Sequence, residues 1–280
     1  MQKAFPIIIF CLFCFSSLGC SSLLFYPRTQ LINNPALNEL HYENIYFKTS
    51  DGLSLHGWFI KAKDKHYGTI LYLHGNAENI STQVYNVLWF ATAGYNIFAF
   101  DYRGYGKSEG TPSLEGVHTD AAAALETIFS LAGMEQERIF VYGQSLGGAI
   151  AIYTLATSSY KSSIKGLIVD SSFSDYRLIV KEKLADFILT WPLQYPLSLL
   201  FNNYYSPVKW ISSVSPLPVL LIYGDKDTIV PVHHGLYLYN SAFKPKEIWL
   251  ITDAGHIQGL HREETRKRML EYLMSFDHHF

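Results

Sequence analysis

The chain has no cysteine after position 20: Cys11, Cys14 and Cys20 are its full complement in 280 residues. Whatever folds beyond them therefore has neither a disulfide nor a thiolate metal site. Charge is also sparse, at 16% Asp, Glu, Lys and Arg with a formal balance of −2. No basic tract or stripe is present to neutralise a run of phosphates, so no nucleic-acid partner is expected. A His-Glu-x-x-His sequence and clustered carboxylates are missing, and no metal is expected. Gly104-Tyr105-Gly106 with Gly110 lacks the spacing of a dinucleotide fingerprint, and no cofactor is expected either. Repeats and low-complexity segments are absent too. What the chain does have is apolar residues, 49% of the total, enough for the core of one α/β domain.

The first twenty residues stand apart. Lys3 precedes an uncharged apolar run from Ala4 to Phe15, then Ser16-Ser17-Leu18-Gly19-Cys20. A positive start, a short apolar stretch and small residues at the end have the outline of a signal peptide over residues 1–19. The run is shorter than the roughly 20 residues a membrane span needs. Its end resembles the lipobox of bacterial lipoproteins, although Ser17 stands where leucine is commonest. That resemblance implies lipidation of Cys20 as the mature N-terminus, a membrane partner through that anchor, and a place in the bacterial cell envelope, at the outer membrane or facing the periplasm. The alternative is an uncleaved or ordinary secretory signal with an incidental cysteine. Residues 20–40 read as a tether and 41–280 as the folded domain.

Along the domain, Tyr42 to Lys48 and Leu53 to Ile60 alternate in hydrophobicity around Ser50-Asp51-Gly52, which predicts an antiparallel hairpin. Apolar runs follow at Thr69–Leu73, Tyr95–Phe100, Arg138–Tyr142, Gly166–Asp170, Val219–Tyr223 and Glu247–Ile251. Helical spacing fills the gaps: Ile80, Val84, Val87, Leu88 and Ala91; about Ser113 to Ala132; Gly148 to Ala156; Val232 to Asn240; Arg262 to Phe276. Strands alternating with helices predict a mostly parallel central sheet flanked by helices, fold class α/β. Between about 171 and 217 the rhythm breaks. Apolar residues at helical spacing, interrupted by Pro192, Pro196 and Pro207, predict a small helical cap over the C-terminal edge of the sheet; a helix pair packed on the body away from any site is the alternative.

The densest signal is Gly143-Gln144-Ser145-Leu146-Gly147, between a strand and a small-residue helix. Glycines two before and two after the serine suit a strained turn in which other side chains would collide with the flanking strand and helix. Such a nucleophile elbow pushes the Ser145 hydroxyl out of the fold, while its backbone sits at a helix N-terminus that favours a developing anion. Ser145 has no lysine three residues on, which removes the penicillin-binding type of serine enzyme. A serine hydroxyl needs a base, and the base needs an orienting acid.

Together with His74-Gly75-Asn76-Ala77-Glu78-Asn79, Asp101-Tyr102-Arg103-Gly104-Tyr105-Gly106-Lys107-Ser108, Gly224-Asp225-Lys226-Asp227-Thr228-Ile229-Val230-Pro231 and Ala254-Gly255-His256, this stretch resembles the α/β-hydrolase superfamily. The similarity runs from about Tyr42 to Leu273. Within the superfamily it looks like the branch of serine-aminopeptidase-like lipases and protein depalmitoylases, departing from the latter at Ile257-Gln258, where those relatives carry a small polar pair. The resemblance implies the α/β-hydrolase fold and a triad in the chain order Ser145, Asp227, His256. Asp225 lies on the same loop as Asp227, and the family pattern selects the latter. The oxyanion hole is expected from the backbone N–H groups of Leu146 and Asn76. By resemblance His74 is structural, and Asp101 and Arg103 serve as turn and ion-pair residues. His233 and His234, adjacent at a helix start, point about 100° apart and are expected to be surface residues that do not address one site.

The expected activity is hydrolysis of carboxylic esters or thioesters, with acyl-chain substrates suggested by the apolar cap and the membrane address. The alternatives are a serine peptidase or aminopeptidase using the same triad, and a non-catalytic envelope lipoprotein that retains the fold.

Overall fold

The computed structural model describes residues 25–131, 138–186 and 188–277. The signal peptide and Cys20 lie outside them. Eight strands build one sheet: β1 (Tyr42–Lys48), β2 (Ser54–Ile60), β3 (Gly68–Leu73), β4 (Tyr95–Phe100), β5 (Ile139–Gln144), β6 (Ile164–Asp170), β7 (Val219–Gly224) and β8 (Lys246–Ile251). Their order is β8-β7-β6-β5-β3-β4-β2-β1, and only β2 runs against its neighbours. The predicted hairpin is β1–β2, with Tyr42 opposite Ile60.

Every residue of β3, β5 and β7 is buried, as expected where helices cover both faces of a parallel sheet. Alternation then divides the core in two. Leu71, Leu73, Val141, Leu167 and Leu221 pack with α1 (Leu114–Ser130) and α2 (Leu146–Thr157) on one face. Ile70, Tyr72, Phe140, Ile168 and Leu220 face the other way, against Met269 and Leu273 of α5 (Glu263–Met274). The polar signals sit where the helices begin. Ser113 caps α1 by accepting the Gly116 N–H at 3.1 Å, and Glu115 stands in that first turn, where the helix dipole favours an anion.

One expected helix is broken. In place of a continuous helix from Ile80 to Ala91 there are Ile80–Gln83, a 3-10 turn Val84–Asn86 and Leu88–Thr92, with Val87 leaving helical geometry at φ −124 and ψ −7. Ser81, Thr82, Val84, Asn86 and Val87 are all weak helix formers, and burial of Ile80, Val84 and Val87 satisfies the apolar pattern without a continuous helix.

The segment from 171 to 217 divides as well. Its ends belong to the core: Phe173 and Tyr176 on one side, and Ile211, Val214 and Leu217 on the other. Its middle contains α3 (Tyr176–Ala185), a 3-10 turn Trp191–Leu193 and the short helix Gln194–Ser198. Proline stands in the first turn of Trp191–Leu193 and of Pro207–Trp210, Pro192 second and Pro207 first, where its missing N–H has no helical partner to lose. The tip is apolar yet largely in solvent, with Ile188 and Leu189 exposed by 90% and 86%. The described part of the tether is docked: Phe25 and Leu40 are buried, and Tyr26–Pro27 pairs in parallel with Ala77–Glu78.

Candidate active site

Ser145 sits where β5 meets α2, with φ 52 and ψ −117, a conformation a non-glycine residue adopts only under constraint. The constraint comes from its neighbours. A Cβ on Gly147 would collide with the Leu73 carbonyl, and one on Gly143 would lie 2.5 Å from the Gly147 oxygen. Strand and helix can approach this closely only with glycine at both positions. Ser145 is the N-cap residue of α2, yet its side chain makes no capping hydrogen bond. Among the described residues the hydroxyl has no hydrogen-bond partner, and the amide of Leu146 is among the first-turn N–H groups without a helical acceptor.

Asp227 and His256 arrive from the C-terminal ends of β7 and β8. His256 Nδ1 and Asp227 Oδ2 are 2.8 Å apart, and the aspartate side chain is fully buried. Its second oxygen accepts the N–H groups of Ile229 and Val230, both at 2.8 Å. The carboxylate is fixed by these three contacts. It sets the imidazole tautomer: Nδ1 carries the proton and Nε2 keeps its lone pair. Asp225 is committed elsewhere, accepting the Asp253 N–H at 2.7 Å. Among the described residues the hydrogen bonds of His256 include this one and none to Ser145, and in unliganded sites of this kind that last contact commonly closes around substrate.

Asn76 follows β3 on the other side of the elbow. Tyr105 donates its hydroxyl to the Asn76 carbonyl at 2.6 Å, which holds this turn from outside. His74 lies beneath, buried, with its pKa pushed down to about 4 by desolvation. Asp101 accepts the Ile80 N–H at 2.8 Å and lies 3.5 Å from His74 Nε2; burial pushes its pKa up to about 8. Arg103 forms a fork onto Asp120 and reaches Asp51 at 2.9 Å, whose carboxyl that contact holds down at about 2.

A buried polar network under the elbow had no sequence signal beyond its residue types. Tyr72 donates to Gln144 Oε1 at 2.7 Å, and Gln144 Nε2 and the Tyr142 hydroxyl both donate to Asp170 Oδ2, at 3.1 and 2.7 Å. Ser171 donates to the other Asp170 oxygen at 3.0 Å while its own Oγ accepts the Ile257 N–H at 3.1 Å. The Asp170 carbonyl also receives the Ser145 N–H at 2.8 Å. One buried carboxylate therefore connects the residue before Ser145 to the residue after His256. Desolvation raises the Asp170 pKa, and the three donors oppose that rise. Ile257 has φ 59, rare for a β-branched side chain, so the base loop is held under strain at the point where the network grips it.

The reading of His233 and His234 needs correction. Both address one group: their Nε2 atoms lie 2.9 Å from the two oxygens of Glu182 on α3, and the rings stack at 4.6 Å. His234 is fully buried. The expected divergence fails because they open α4 (His233–Ser241), where side-chain rotation brings both rings onto a partner 51 residues away. His234 Nδ1 accepts the Ser174 N–H at 3.1 Å, so its Nε2 carries the proton and donates to Glu182. This is a hydrogen-bonded latch between α3 and α4. Lys183 adds a bond to the Thr228 carbonyl at 3.0 Å, one residue from Asp227. The base of the cap is thus tied to the loop of the candidate acid.

A sheet of this order, an elbow serine after β5, and an aspartate and histidine after β7 and β8 define an α/β-hydrolase architecture. The chain belongs to the family described as serine aminopeptidase, S33, matched over residues 64–213. It is 34% identical to the YfhR protein of Escherichia coli over 240 residues, covering 83% of this chain and 81% of that one. The α/β hydrolase domain-containing protein WAV2 of Arabidopsis thaliana is 36% identical over 225 residues, 78% of this chain and 70% of that one. In structure the chain resembles the Pyrococcus furiosus esterase Pf2001 with a TM-score of 0.74 and 24% identity, covering 90% of this chain and 97% of that one, a likeness of fold.

Proposed function

We propose that the protein is a serine hydrolase that cleaves carboxylic esters or thioesters through an acyl-enzyme. The observation that carries this reading is the pairing of a strained elbow serine, φ 52, with an Asp227–His256 hydrogen bond of 2.8 Å at the same sheet edge. Ser145 Oγ attacks the carbonyl carbon while His256 Nε2 takes its proton. The tetrahedral oxyanion is held by the N–H groups of Leu146 and Asn76. Its collapse breaks the bond to the alcohol or thiol, which leaves with the proton from His256. Water then attacks the acyl group, His256 takes one of its protons, and the acid departs as Ser145 is reprotonated.

The family description makes aminopeptidase activity the natural rival. The N-terminal amine of a peptide calls for a free carboxylate beside the nucleophile, and two acidic groups at the candidate site are engaged: Asp227 by three contacts and Asp170 by Tyr142, Gln144 and Ser171. This favours acyl esters. We further propose that lipid on Cys20 anchors the chain in the bacterial cell envelope and that acyl chains of membrane lipids or acylated molecules are substrates. The test is a series of p-nitrophenyl esters and acyl thioesters of increasing chain length beside aminoacyl anilides. Turnover of the acyl compounds, lost in Ser145→Ala, is the expected result. Cleavage confined to the anilides would replace this reading with the peptidase one, and no turnover of either would favour the non-catalytic envelope protein.

A further inference from the structure

We propose that the exposed tip of the cap, residues 188–204, seats in the surface of the lipid bilayer to which the chain is tethered, so that the candidate site opens toward the membrane. This rests on the anchoring proposed at Cys20 and names its consequence for the site.

The tip has the chemistry of a bilayer interface. From 187 to 208 there is no Asp, Glu, Lys or Arg. Ile188, Leu189, Trp191, Tyr195 and Leu199 are exposed by 90, 86, 59, 62 and 64%. Single exposed apolar residues are ordinary on a soluble surface, but a contiguous uncharged group of this kind marks a contact. Trp and Tyr, with an apolar body and one polar atom, suit the level of lipid headgroups.

The path of the chain says which contact. Arg28 donates its N–H to the Glu78 carbonyl at 3.0 Å, and its own carbonyl receives the Gly106 N–H and Asn79 Nδ2, both at 2.9 Å. The Gln30 carbonyl receives Asn79 Nδ2 at 2.9 Å, and Ile32 N–H reaches Ser81 Oγ at 2.9 Å. The entering strand is therefore stapled to the loop after β3, which carries Asn76. Cys20 precedes Phe25 by five residues, and five residues span at most about 18 Å. A lipid on Cys20 would hold the C-terminal edge of the sheet at the bilayer. The cap leaves that same edge after β6, two strand steps from β3 in the order β6-β5-β3, a lateral offset of about 10 Å. A second copy docked tip to tip would have to turn this edge away from the membrane against that short leash. The bilayer is the occupant that the tether allows.

The test uses the full chain in vesicles of phosphatidylethanolamine and phosphatidylglycerol, with and without brominated acyl chains that quench tryptophan on contact. The wild type is expected to lose part of its emission in brominated vesicles, and Trp191→Phe to abolish most of that loss. Equal quenching in Trp191→Phe, or none in a chain that stays with the vesicles, overturns the tip contact and leaves the anchor standing. If the wild type does not stay with vesicles, the anchor reading fails. The tip is then judged by partitioning at high lipid, where the pair Ile188→Asp and Leu189→Asp should weaken binding at least about tenfold. No binding there overturns the proposal, as does dimerisation in solution that this pair abolishes without any quenching. The same pair should leave hydrolysis of a water-soluble short-chain ester unchanged and slow that of a vesicle-borne ester.

Discussion

The nucleophile elbow and the tip of the cap leave the same edge of one sheet and are built in opposite ways. Around Ser145 the chain is over-determined: two glycines in forced contact, a positive φ, and the Asp170 network tying both flanks. At the tip, short proline-containing helical turns carry apolar side chains into solvent. The base of the cap lies between these extremes, latched by Glu182 to His233 and His234 and packed through Tyr205 and Trp210 against His118 and Tyr153. The difference teaches where order comes from: the elbow is held by contacts within the fold, while the tip leaves its apolar side chains in solvent.

If the elbow is the reacting centre, Ser145→Ala should cut turnover by at least about 10⁴-fold while the melting temperature stays within a few degrees. Gly147→Ala attacks the same region through packing and should cost about 3 kcal/mol, measured by urea unfolding, because its Cβ meets the Leu73 carbonyl with nowhere to move. Asp170→Asn should lower kcat about tenfold or more with little change in KM and shift the pH profile of kcat, since it removes a charge between the flanks of Ser145 and His256. Asn keeps the acceptor oxygen for Ser171, so an unchanged pH profile would reduce Asp170 to packing.

The base of the cap carries a pH signature. Burial pushes the His118 pKa down to about 3, from about 6.5 in the unfolded chain. Below pH 6.5 the unfolded state binds a proton that the folded state refuses, so stability falls as pH drops from about 6.5 toward 3. His118→Phe, which keeps the stacking on Tyr205 at 4.3 Å, should flatten that decline in melting temperature between pH 7 and 4. An equally steep decline in the variant would mean that other groups carry it. Leu189→Asp at the tip should change folding stability by no more than about 0.5 kcal/mol.

The elbow was legible in the sequence because the glycines two before and two after Ser145 mark it locally, although only Gly143 is demanded by the same turn and helix, while Gly147 is demanded by the Leu73 carbonyl of β3. The mostly parallel sheet was legible because continuous apolar runs alternate with helical patterns, whereas the order of its strands was not. Asp227 and His256 stand out through the resemblance of their loops, and the 2.8 Å contact between them depends on two strands that meet only in the fold. The Asp170 network was invisible, because Tyr72, Gln144, Asp170 and Ile257 come from four separate stretches. The histidine latch was misread for a similar reason: helical spacing gives the angle between two side chains but not the partner that draws them together. The break at Val87 shows the converse, where an apolar pattern is satisfied by burial without the helix it suggests. In the cap, spacing told which residues are apolar and nothing of what covers them.

The central claim, that Ser145 is an activated nucleophile, is tested most directly by treating the full chain with a fluorophosphonate and locating the adduct by mass spectrometry. The expected result is stoichiometric labelling of the peptide containing Ser145, abolished in Ser145→Ala and strongly slowed in His256→Ala. Absence of labelling in the folded wild type, or an adduct on a different serine, would contradict the account.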